Sequence, residues 1–192
     1  VDEQLWQEAK LLDQANGKGL PRLISVEREA GRPVLVMEVI EGTTLRQRMR
    51  SLEGVKLTWM VELAYILERI QALGWPCHGD VKPENVMIGT DGKVTLLDPV
   101  PLVQRHDLVV TTPWYNPFLR RDAQADVHGV GIMLYELIAG QPPFVADNHF
   151  DLLSSHVRDA PAPLSEHRAD LAHTKLDGLV LSLLSKQPEH RP

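Results

Sequence analysis

Asp80, Lys82, Asn85 and Asp98 are the residues of this chain whose types and spacing suit chemistry. The first three fall within six positions of "HGDVKPENVMIGTDGKVTLLDP" (78–99), and Asp98 follows eighteen residues after Asp80. A carboxylate at a strand–loop junction can orient a hydroxyl and accept its proton. An amine two residues later can offset charge on a transferring phosphoryl group. An amide oxygen three residues further on, with a second carboxylate at a strand end, offers the hard oxygen donors that suit Mg²⁺. These are the parts that phosphoryl transfer requires.

Those residues need a frame. "VMIG" and "VTLLD" flank Thr90-Asp91-Gly92-Lys93, and Asp-Gly between β-rich runs predicts a hairpin. Upstream, residues 58–73 carry Met60, Leu63, Ile66, Leu67 and Ile70 on one helical face, with Gly74 as the stop. Downstream, "ADVHGVGIMLYELIAG" (125–140) is apolar on nearly every face, which predicts a buried helix ended by Gly140. Residues 3–15 read as a helix with Leu5, Ala9 and Leu12 in register and Gly17 as its stop. Residues 20–26 and 33–40 read as strands joined by a turn at Ala30-Gly31-Arg32-Pro33. "EGTTLRQRM" suggests a short helix after a Gly-containing link. Residues 100–124 lack periodicity and hold three prolines, which predicts a long loop. Residues 147–156 and 174–185 can form two more helices.

The bulk properties narrow the classes. The chain has 192 residues, 43% apolar and 24% charged, ordinary values for a globular domain with a real core. A formal net charge of −6 and no basic run give nucleic-acid binding no electrostatic support. The single cysteine, Cys77, excludes an internal disulfide and a metal–thiolate cluster, and fits a reducing, cytoplasmic compartment. The longest apolar stretches, 34–40 and 129–137, are too short to span a bilayer.

Taken in order, six motifs resemble a eukaryotic-type (Hanks-type) Ser/Thr protein kinase domain. "HGDVKPENVMI" is similar to that family's catalytic loop and "LLDP" to the strand end with its metal-binding Asp. "TTPWYNP" is similar to the end of the activation segment, and "ADVHGVGIMLYELIAGQPPF" to the buried central helix. "LLSKQPEHRP" resembles the late helix with its Arg, and "VLVMEVIEGTTL" the hinge between lobes. The resemblance implies an α+β, protein-kinase-like two-lobe fold. Residues 1–40 would be the remainder of the smaller lobe and 41–192 the larger, mostly helical one. It implies ATP and Mg²⁺, a protein substrate carrying Ser or Thr hydroxyls, and no nucleic-acid partner. Asp80 would be the catalytic base, Lys82 would contact the γ-phosphate, and Asn85 and Asp98 would hold Mg²⁺. Met37 would be the gatekeeper, the backbone of Glu38 to Ile40 would meet adenine, and Met87 would lie under the ring. Glu8 falls where the family places the partner of its ATP-binding Lys, and Asp126 would brace the catalytic loop. His78 reads as a structural histidine under that loop, and Cys77 as a small buried apolar residue.

The sequence also departs from the family pattern. Nothing before Val1 supplies a Gly-rich phosphate loop or the ATP-pairing Lys, so the chain is expected to be cut from a longer protein and, by itself, to bind ATP weakly and be inactive. Gly79 stands where an Arg usually anchors a phosphorylated segment. "DPV" replaces Asp-Phe-Gly, and Pro99 fixes its own φ near −65°. "NPF" replaces Ala-Pro-Glu, so Phe118 cannot form the usual ion pair with Arg191. Gly79, Pro99 and the short run of nineteen steps from Asp98 to Pro117 together point to an activation segment set in place without phosphorylation at Thr111 or Thr112. Two other readings share parts of the pattern. One is a pseudokinase scaffold, favoured by "DPV" and "NPF". The other is a small-molecule kinase of the aminoglycoside phosphotransferase type, which shares "HGD" but not "KPEN" or "ELIAGQPPF".

Overall fold

Helix α1 (Asp2–Ala15) opens the chain and turns Ala9, Leu11, Leu12 and Ala15 inward, each at most 4% exposed. The computed structural model describes residues 2–51, 54, 56–99, 114–118, 120–172 and 174–192. Val100 and Thr111 to Pro113 lie outside them, and with them most of the long loop expected over 100–124. Contacts within the chain divide it into two compact units, Val1–His78 with Pro83–Val110 and Gly79–Lys82 with Thr111–Pro192. This grouping differs from the expected parts 1–40 and 41–192, which refer to a hinge.

In the first unit, α1 ends where Asn16 and Gly17 take positive φ (49° and 72°), the stop expected at Gly17. Strands β1 (Leu23–Glu29) and β2 (Arg32–Met37) form an antiparallel hairpin in which Glu29 faces Arg32. Its turn is Ala30-Gly31, both left-handed, so the connection is two residues long and not the four-residue turn the sequence suggested. Both strands also sit away from the expected 20–26 and 33–40. Leu20 and Pro21 are buried ahead of β1, and β2 stops at Met37. "GTT" is not part of a helix. Gly42–Thr44 is a strand, β3, and only then does α2 (Leu45–Ser51) begin. Strand β3 pairs with β4 (Val86–Gly89), which pairs with β5 (Val94–Leu96), giving a three-stranded antiparallel sheet. Helix α3 (Thr58–Ala72) buries Trp59, Met60, Leu63, Ile66, Leu67 and Ile70, the predicted face and one residue more. Its Glu62 Oε2 accepts from Val94 N at 3.1 Å, fastening helix to hairpin.

The second unit is built on α4 (Ala123–Ala139), whose residues 125, 126 and 128–135 are all buried. Asp122 caps it, its side chain accepting from Ala125 N, and Gly140 closes it at φ 76°. Helices α5 (His149–Arg158) and α6 (Lys175–Leu183) start on the side chains of Asn148 and Thr174. No described helix is long and apolar enough to cross a membrane.

A run of rings crosses this unit. Phe118 lies edge-on to His128 at 5.2 Å, His128 to His156 at 6.2 Å, and His156 to Phe144 at 4.8 Å. Both histidines are almost wholly buried. The His128 nitrogens make no hydrogen bond of good geometry, with only a weak approach to the Leu183 backbone. Burial first, then the nearby Arg191 and Lys186 charges, push His128 down to about 3. Burial and Lys186 push His156 down to about 4. Below pH ~6.5 the unfolded chain takes up protons that the folded chain refuses until these lower values, so stability is full above 6.5 and is lost as pH falls. In urea unfolding from pH 8 to 4 these two imidazoles therefore contribute nothing to the slope above 6.5 and, below it, a decline of up to ~1.4 kcal/mol per pH unit each. His156→Gln should make that decline shallower; an unchanged slope would sink the assignment.

Candidate active site

Gly79, Asp80, Val81 and Lys82 pack with the second unit, and the other sequence-predicted site residues belong to the first. The short loop is pinned by α4. Asp126, 4% exposed, accepts from Gly79 N through Oδ1 at 3.0 Å. This is the bracing expected of Asp126, and a carboxylate receiving a backbone N–H in a buried setting is among the stronger hydrogen bonds. One turn on, Gly129 lets two carbonyls approach the helix. A Cβ there would lie 3.0 Å from Val81 O and 3.3 Å from Tyr115 O. Asp80 and Lys82 flank Val81 and are brought together, Lys82 Nζ donating to Asp80 Oδ2 at 2.5 Å with both side chains largely covered. The amine thus holds the orientation of the carboxyl.

In the first unit, Met37, Glu38, Ile40, Met87 and Asp98 meet around a cavity of about 210 Å³, with Leu12, Pro21, Leu97 and Pro99 completing the wall. The lining is mostly apolar. The Glu38 N–H is already given to Arg22 O at 3.0 Å, so only part of the expected Glu38–Ile40 backbone is open to a ligand. Among the described residues, the Glu38 carbonyl and both backbone groups of Ile40 make no hydrogen bond. The Glu38 side chain is also engaged, Oε1 accepting from Arg22 N at 2.7 Å.

Leu97 organises the floor. Its N–H donates to Asn85 O at 2.8 Å, and its carbonyl accepts from His78 Nε2 at 2.9 Å. A carbonyl can only accept, so His78 carries its proton on Nε2; with 0% exposure it is the structural histidine the sequence suggested. Asn85 is 6% exposed. The next residue, Asp98, sits at φ 56°, in the left-handed region that non-glycine residues avoid. A following proline further disfavours helical backbone at this position. Strain of this kind collects where side-chain direction matters more than backbone comfort.

Glu8 on α1 feels the charge of this strained residue. Burial, and then the Asp98 charge, push its carboxyl up to about 7, and among the described residues it has no ion-pair partner. Leu12 was not singled out from the sequence as a site residue. The signal was available, because it lies one helical turn beyond Glu8 and shares its face. Pro21 gave no signal, since only the tertiary fold brings it to the cavity.

Comparison with known proteins gives the family. The sequence model of the protein kinase domain matches residues 1–192, and the chain belongs to this family, with its mixed α+β fold. It is 33% identical over 178 residues to serine/threonine-protein kinase PknB of Mycobacterium tuberculosis and 32% identical over 178 residues to PknB of Mycolicibacterium smegmatis, in each case covering 83% of this chain. A probable serine/threonine-protein kinase of Corynebacterium efficiens is 31% identical over 180 residues, again covering 83% of this chain. The matched part spans 28% of the two PknB relatives and 27% of the third.

The Glu8 position carries a prediction of sign. Between pH 4.5 and about 7 the folded chain holds a proton that the unfolded chain releases, so this group lowers stability as pH rises. Glu8→Gln is expected to raise the unfolding midpoint at pH 8 and to leave it unchanged at pH 4. Equal shifts at both values would assign the effect to packing.

Proposed function

We propose that the protein is an ATP-dependent Ser/Thr protein kinase, with residues 1–40 in its smaller lobe and 41–192 in its larger. The observation that carries the reading is the Asp80–Lys82 pair on a loop anchored by the buried Asp126. Asp80 receives the substrate hydroxyl's hydrogen bond and takes its proton as the new oxygen–phosphorus bond forms and the bond to the departing diphosphate breaks. Lys82 moves from its resting partner Asp80 to the transferring phosphoryl oxygens, where its charge offsets theirs. The cavity suits the adenine of ATP on two counts. Its walls are apolar, from Leu12, Met37, Met87 and Leu97, and its rim carries the open Glu38 carbonyl and Ile40 backbone groups. Asn85 and Asp98 offer the amide and carboxylate oxygens that Mg²⁺ prefers, and they would hold it. When bound, the ion neutralises phosphate charge. The strain at Asp98 fits this role, because the backbone conformation turns a carboxylate toward the cavity it lines.

Full-length protein given labelled ATP and Mg²⁺ should transfer phosphate to itself or to a generic protein acceptor, and Asp80→Asn should lower the rate by about 10²-fold or more. No transfer, or equal transfer by the variant, overturns the proposal. Asp98→Gly separates comfort from chemistry. It is expected to gain about 0.5–1 kcal/mol in urea unfolding while losing transfer.

A further inference from the structure

Arg191 is a buried cation without a buried anion. It is 5% exposed, with Nε donating to Ser185 O at 2.9 Å and Nη1 to Gln124 O at 2.6 Å. Nη2 has no hydrogen-bond partner, and no carboxylate among the described residues lies within ion-pair distance. Asp122 and Glu189 are near enough to be felt but do not pair with it. The group that lies across the guanidinium is the ring of Phe118, 5.4 Å from ring centroid to Cζ. A charge buried without a partner costs several kcal/mol. An aromatic face returns roughly 2 kcal/mol when the pair is shielded from water.

Phe118 ends a short stretch that is fastened along α4. Tyr115 OH donates to Glu136 Oε2 at 2.6 Å. The Asn116 side chain closes onto the Arg120 backbone, Nδ2 donating to its O at 2.7 Å and Oδ1 accepting from its N at 3.2 Å. Gly129 receives Tyr115 O and Val81 O side by side, while Asp126 holds Gly79 N. Residues 114–118 and the loop bearing Asp80 therefore lean on the same turn of one helix, and their spacing is fixed by it.

We propose that Phe118 is a positioning residue, whose ring, held on Arg191 by a cation–π contact, seats residues 114–118 against α4 and so sets where a protein substrate presents its hydroxyl to Asp80. The effect on transfer rests on the kinase reading above; the seating does not. If Phe118 served only to fill space, any apolar side chain of similar volume would do. If it serves the guanidinium, tyrosine should replace it, leucine should not, and glutamate should succeed by supplying the anion.

The test is amide hydrogen exchange over residues 114–118 together with steady-state kinetics, in full-length protein. Phe118→Leu should speed exchange there by roughly 10- to 30-fold and raise KM for the protein substrate about tenfold, leaving KM for ATP alone. Phe118→Tyr and Phe118→Glu should stay within about threefold of the parent in both readouts, on the scale of one retained contact. In an Arg191→Met background Phe118→Leu should change little, because the cation it deserts is gone. Leucine behaving as the parent, or leucine costing as much in the Arg191→Met background as in the parent, overturns the proposal. Should the leucine variant fail to fold, the glutamate variant decides: protection near the parent's supports the seating, and lost protection refutes it. Parent protein without transfer activity would remove the kinase reading while the exchange data still judge the contact.

Discussion

The hydrogen bond from Gly79 N to the buried Asp126 carboxylate is the interaction on which the second unit's chemistry depends. A carboxylate 4% exposed is tolerable only when its oxygens are engaged, and the groups it engages are thereby immobilised. Here the immobilised group is the residue before Asp80. The helix that carries Asp126 is itself over-determined, capped by Asp122 at one end and by left-handed Gly140 at the other, and buried along most of its length between. What reaches the carboxylate of Asp80 is the rigidity of a helix fixed at both ends and along its length.

The first unit solves a different problem. Its cavity must stay open and mostly apolar while presenting a few polar groups, and it does so by committing the backbone. Leu97 spends both its N–H and its carbonyl on Asn85 and His78, leaving the strained Asp98 to project next. Burial first, and then the charge of Asp98, leave the Glu8 carboxyl partly protonated near neutrality.

How much of this was legible in the sequence follows from the range of the interactions. Helices α3 and α4 announced themselves because their apolar periodicity is local, and so did the Asp-Gly hairpin between β4 and β5. Strand β3 did not. It is three residues long, and its pairing partner β4 begins more than forty residues later, so no window around "GTT" contains the cause of its extension. The hairpin of β1 and β2 was found but displaced, because Leu20 and Pro21 are buried by packing and imitate strand residues. The polar candidate residues stood out in the sequence only as a family pattern. Pro21 and Leu97 did not stand out, since an apolar side chain looks alike in a core and in a cavity wall. Phe118 was noticed for the ion pair it cannot make, and a rule that matches opposite charges is blind to a ring that takes a guanidinium on its face.

The separation of Gly79 from Asp126, forty-seven positions along the chain, also orders events during synthesis. A ribosome adds roughly 5–20 residues per second, so the loop emerges several seconds before the carboxylate that will hold it exists. In that interval α3 and the β4–β5 hairpin have local contacts enough to form, while the stretch bearing Asp80 has no helix to lean on. A nascent chain, or one released before α4 is complete, therefore carries the Asp80 carboxyl and the Lys82 amine on a loop that is not yet held. The geometry of this loop arrives late and all at once, when a single helix docks.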